Sequence, residues 1–73
     1  MFKVGDRVYC LGGSYLTWAK GKTATVNKTG FSLYTIQVRF DEFSEEYYNN
    51  ENNGHSGLIE CFTLLTKLHK AMH

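Results

Sequence analysis

From Leu33 to Phe40 the chain alternates without a break. Tyr34, Ile36, Val38 and Phe40 fall on one side, and Leu33, Thr35, Gln37 and Arg39 on the other. A period of two over this length, in β-branched and aromatic residues, describes a strand with one face in a core and one in water. Nothing so regular occurs at helical spacing except near the C-terminus, so the chain must bury its apolar residues mainly by pairing strands. At 73 residues it has room for a single core, and a domain this small buries only about 60% of its unfolded surface. A composition of 42% hydrophobic and 15% aromatic residues, with seven glycines for tight turns, suits a small β fold and lies far from the disordered regime.

The other elements follow from alternation and turn residues. Phe2 to Leu11 read as a strand kinked at Gly5-Asp6, with Val8 and Cys10 alternating against Arg7 and Tyr9. Gly12-Gly13-Ser14 breaks the pattern, and Tyr15 to Ala19 form an irregular aromatic loop ending at Lys20-Gly21. Lys22 to Val26 is a second strand, with Ala24 and Val26 on one face, and Asn27-Lys28-Thr29-Gly30 is a turn. After the third strand, Asp41-Glu42-Phe43-Ser44 reads as a hairpin turn into a short strand over 45–48. The run from Asn49 to Gly57 reads as a polar loop without core residues. A last short strand is expected near 60–64, followed by a tail over 67–73, irregular or helical. The expected fold class is therefore all-β: a small five-stranded barrel over 1–66 with that C-terminal tail.

A resemblance supports this architecture. Phe2-Lys3-Val4-Gly5-Asp6-Arg7-Val8, followed by Gly21-Lys22-Thr23-Ala24-Thr25-Val26, resembles the opening of SH3-like barrels of the KOW and Tudor type. Leu33 to Asp41 with Glu46-Tyr47-Tyr48 resembles small, uncharacterised bacteriophage and prophage proteins of that shape. Thr35 stands where those proteins usually carry proline, and Cys61-Phe62-Thr63-Leu64 matches their ending only loosely. The resemblance spans about residues 2–64 and implies a barrel. It implies no ligand, since members bind RNA, DNA, ribosomal partners, methylated tails or other proteins.

Catalytic and metal chemistry find little to work with. Gly21-Lys22-Thr23 ends like a phosphate-binding loop, but Leu16 occupies the position where that motif needs glycine, and a β pattern follows where a helix should. Cys10, Cys61, His55, His69 and His73 are scattered, without the spacing of a metal site. Cys10 and Cys61 read as buried, reduced small hydrophobes in a cytoplasmic setting. No apolar leader or membrane-length stretch is visible, and the Asn27-Lys28-Thr29 sequon is set aside on the same grounds. Adjacent carboxylates such as Glu45-Glu46 point to opposite faces of a strand and do not converge. No catalytic residue, cofactor or metal is expected.

A binding surface is the remaining expectation. Tyr15 and Trp18 from the first long loop, with Phe43 and Tyr47 from the 41–48 hairpin, could share one groove, Trp18 being at least partly exposed. Lys20 and Lys22 border that region. The expected function is a non-enzymatic protein-binding accessory module, of phage or prophage origin as the resemblance implies. The alternative is a nucleic-acid-binding module using Lys20 and Lys22 with Trp18. An edge strand could also pair with a second copy.

Charge bears on the choice. Residues 1–40 carry six basic residues against Asp6, a net of +5. Residues 41–60 carry six acids and no lysine or arginine, a net of −6, and Lys67 and Lys70 bring the chain to +1. Two arrangements are open: a molecule with a basic and an acidic face, or one in which strand pairing interleaves the signs. The acidic segment repels phosphate in a nucleic-acid complex, and it could alternatively act as a local phosphate mimic toward a host enzyme.

Overall fold

The computed structural model describes residues 2–50 and 53–66. Strands β1 (Arg7–Cys10), β2 (Thr23–Lys28), β3 (Thr35–Phe40), β4 (His55–Leu58) and β5 (Phe62–Leu64) form one antiparallel sheet in the order β4-β3-β2-β1-β5. The all-β, five-stranded architecture expected from the alternation is the one observed. No ladder joins β4 to β5 among the described residues, and a short 3-10 turn, Ile59–Cys61, links them. The expected tail over 67–73, with His69 and His73, lies outside the described residues.

The predicted inward faces supply the core. Val8 and Cys10 of β1, Ala24 and Val26 of β2, and Ile36, Val38 and Phe40 of β3 are all buried. Leu16 and Ala19 cover one side, and Cys61 and Phe62 close another. The expected aromatic loop is a kinked 3-10 helix, Ser14–Ala19, and it buries Leu16 and Ala19 while leaving Tyr15 and Trp18 outside.

At the amino end, Gly5 turns with φ 97°, a conformation that costs a glycine little. Its N–H reaches the Val26 carbonyl at 2.9 Å, and the Val26 N–H returns to Asp6 at 2.9 Å. The Val-Gly-Asp segment thus hugs β2. β2 itself runs two residues beyond the expected Val26, with a register shift between Val26 and Lys28 that marks a bulge at Asn27. The Asn27 side-chain amide donates to Gln37 Oε1 at 2.8 Å across that irregularity.

Two expectations are corrected. Residues 45–48 form turns, and the fourth strand is His55–Leu58, all but Leu58 inside the stretch read as a coreless polar loop. Tyr34 is 72% exposed, although the alternation placed it inward. It lies in the bend before β3, one step beyond the reach of the core.

Candidate binding surface

Where β3 ends, the chain turns back upon it. The Phe43 N–H donates to the Phe40 carbonyl at 3.2 Å, and the Tyr47 N–H to Ser44 at 3.0 Å. These turns bring Phe43, Tyr47 and Tyr48 over the end of the sheet, where the 3-10 helix Ser14–Ala19 delivers Trp18 and the start of β4 delivers His55. Trp18 meets Phe40 edge-on at 5.2 Å and Phe43 at 6.1 Å. Phe43 stacks on Tyr47 at 4.6 Å and on His55 at 5.4 Å, offset arrangements that aromatic rings favour. Trp18 remains 45% exposed and Tyr47 53%, so the cluster is an outward-facing aromatic patch seated on Phe40.

Tyr48 is the buried member. Its hydroxyl accepts the Phe40 N–H at 3.2 Å and lies 2.7 Å from His55 Nδ1. In the imidazole tautomer protonated at Nε2 the hydroxyl donates to Nδ1; in the other tautomer Nδ1–H donates to the hydroxyl. Burial pushes the His55 pKa down and the Tyr48 pKa up. Both shifts hold the pair in its uncharged form near neutral pH.

The turn that carries Phe43 also holds two ion pairs. Arg7 and Asp41 meet at 2.5 Å, with Thr23 also donating to Asp41. Lys22 meets Glu42 at 2.9 Å. Arg7 beside Asp41 holds that carboxyl below its ordinary range. Arg39 lies with its guanidinium 5.6 Å from the Tyr48 ring centre, and it donates through Nε to the Asn53 carbonyl at 2.9 Å and through its guanidinium to Asn50, which ties down the chain before β4.

Of the residues singled out in the sequence, Trp18, Phe43 and Tyr47 come together, and Lys22 pairs with Glu42, the residue before Phe43. Lys20 is exposed, its stem lying across Gly12. Tyr15 stands apart at 94% exposure, lining a separate groove of about 250 Å³ with Leu16, Ser56 and Leu58. Sequence reasoning missed His55, a lone histidine in a polar run with no periodicity to mark it as part of the patch. It also left Tyr48 among the general aromatics.

The chemistry available at this surface is contact chemistry. Among the described residues no three His, Cys, Asp or Glu side chains converge in a way that could hold a metal ion. Cys10 and Cys61 are buried free thiols, and burial pushes Cys61 further from its thiolate. No described helix is long and apolar enough to cross a membrane. No protein-family model, curated protein or solved structure matches the chain.

Proposed function

We propose that this domain is a non-enzymatic protein-binding accessory module whose contact surface is the patch of Trp18, Phe43 and Tyr47. The observation that carries the reading is the packing of these rings against His55 at the surface, with Trp18 and Tyr47 about half exposed. Rigid, half-exposed aromatics anchor protein interfaces because they bury large area at little entropic cost.

The ion pairs at the turn before Phe43 favour a protein partner over a nucleic acid. Arg7 and Lys22 are already matched by Asp41 and Glu42, so a phosphate backbone gains little from them and meets the carboxylates as well. The resemblance to phage and prophage proteins makes a bacterial lysate the natural source of partners.

The test compares Trp18→Ala and Tyr47→Ala with the parent in capture from such a lysate, with circular dichroism to establish folding. Each truncation should weaken retention of a specific partner at least tenfold, since an interface anchor contributes on the order of 2 kcal/mol. Retention unchanged in both folded variants sinks the surface assignment. Saturable amide shifts at Lys20, Lys22 and Trp18 on adding oligonucleotides at low salt, fading as salt rises, would replace it with the nucleic-acid reading.

A further inference from the structure

Strand β4 closes one end of the sheet, and its outer edge has no strand partner among the described residues. Its phase against β3 settles which groups face outward. The Ile59 N–H donates to the Tyr34 carbonyl at 2.8 Å, and residues two apart along an antiparallel ladder share the bonded phase. Gly57 opposite Ile36 and His55 opposite Val38 therefore bond to β3. Ser56 opposite Gln37 and Leu58 opposite Thr35 turn their N–H and C=O groups away from the sheet.

Exposed edges are ordinarily blunted by lysine, proline or an inward charge. This one reads His-Ser-Gly-Leu, without a lysine, arginine or carboxylate, and the chain contains no proline. Apolar surface borders it. Leu58 lines both a groove of about 520 Å³ with Leu33, Tyr34 and Ile59 and the smaller groove with Tyr15. Leu33 and Tyr34 are among the most exposed apolar side chains of the molecule.

We infer that β4 pairs with β4 of a second copy, antiparallel, about a two-fold axis at Gly57. In that register Ser56 lies opposite Leu58 of the second copy, and the outward N–H and C=O groups of each satisfy those of the other. The pattern is self-complementary, as an isologous interface requires. Leu58 shares the outer sheet face with Ser56 and falls diagonal to Leu58 of the second copy, within reach for side-chain contact. The charge pattern also fits: Glu60 comes opposite Gly54, so no like charges meet across the seam. An edge of four residues buries less than a standard interface of about 1,600 Å², so the dimer is weak and reversible. It uses the sheet edge and does not depend on the aromatic patch.

Sedimentation of the full chain from about 10 µM to about 1 mM, the range in which a small interface assembles, tests the pairing. The sedimentation coefficient should rise with concentration. Hydrogen exchange at the Ser56 and Leu58 amides should slow in parallel, while Gly57, already bonded to β3, stays constant. Ser56→Pro removes an outward donor without touching a β3 bond, and should abolish the dimer. Ser56→Lys, at an exposed position, should do the same and decides the matter if the proline variant does not fold. A single monomeric species at every concentration overturns the inference, as does a dimer that survives in the folded Ser56 variants. Protection of Ser56 only on adding an unrelated extended peptide also overturns it, since the edge would then serve a foreign strand.

Discussion

Tyr48 stands where the sheet runs out of partners. β4 begins at His55, opposite Val38, so the Phe40 N–H has no β4 residue to meet, and the Tyr48 hydroxyl takes that place at 3.2 Å. The same oxygen shares a hydrogen bond of 2.7 Å with His55 Nδ1. Tyr48→Phe keeps the ring and deletes both bonds, leaving a buried backbone donor without an acceptor. The expected loss is about 1–3 kcal/mol, read by urea denaturation. His55 should respond as well. Burial depresses its pKa, and NMR titration of the ring in the variant tests the bond: a rise toward about 6.5 would show that the hydroxyl donates to Nδ1 and adds to that depression. A His55 pKa that stays put or falls further would mean that the hydroxyl is not the donor. None of this was legible in the sequence. Tyr48 follows another tyrosine and His55 sits among asparagines and glycines, and neither carries a periodic signal; only the reversal of the chain at 41–48 brings them together.

The elements divide by whether their side chains alternate. β3 was legible because Ile36, Val38 and Phe40 face one core without interruption, and β1 and β2 because Val8, Cys10, Ala24 and Val26 do the same over shorter runs. β4 was not, for a physical reason that the structure locates in its glycines. A Cβ at Gly57 would lie 2.5 Å from Leu16 Cδ1 and 3.1 Å from Phe62 Cε2, and one at Gly54 would lie 2.8 Å from Gln37 Cγ and 2.9 Å from the Val38 carbonyl oxygen. At Gly57 the strand is pressed so close to Leu16 and Phe62 that no side chain fits, and its other inward position is a polar histidine packed on Phe40, so β4 shows no apolar alternation. Both glycines therefore resist substitution, unequally. At Gly57 the nearest atom is the tip of a leucine that can rotate aside. At Gly54 a backbone oxygen is involved, which moves only with β3. Gly54→Ala should cost about 1–3 kcal/mol, partly offset by about 0.4–1 kcal/mol from restricting the unfolded chain. Gly57→Ala should cost less than Gly54→Ala. Denaturation midpoints of the two variants give the order directly, and the reverse order would show that Leu16 is held more rigidly than the backbone of β3.

At the turn after β3 the two halves of opposite charge interleave. The sequence showed a basic first half and an acidic stretch after it, but not whether they would form separate faces, because that depends on register. The register decides it. Arg7 lies opposite Thr25, and Thr25 opposite Arg39, one step from Asp41, so the Arg7 guanidinium crosses Thr25 to reach Asp41 while Lys22 reaches Glu42. The turn after β3 thus folds Asp41 onto Arg7 of β1 and Glu42 onto Lys22, just before β2. Asp41 is the member whose titration reports this arrangement. Its folded pKa lies below the unfolded value, chiefly through the hydrogen bonds from Arg7 and with help from Thr23. It therefore binds fewer protons when folded, and its contribution is complete above about pH 3.9 and is lost as the pH falls through the folded pKa. Both partners are nearly half exposed, and solvent screening keeps the contribution to about 0.5–1 kcal/mol. Asp41→Asn should lower stability by that amount at pH 7 and by progressively less toward pH 2, where the parent carboxyl is itself protonated. Salt should act in the same direction: at about 1 M the Debye length falls to about 3 Å, and the parent should lose part of its advantage over the variant at pH 7. Urea denaturation of both proteins over pH 2–7, at low and high salt, measures each effect. A difference that persists undiminished to pH 2 would show that Asp41 acts through packing or its bond to Thr23, and not through its charge.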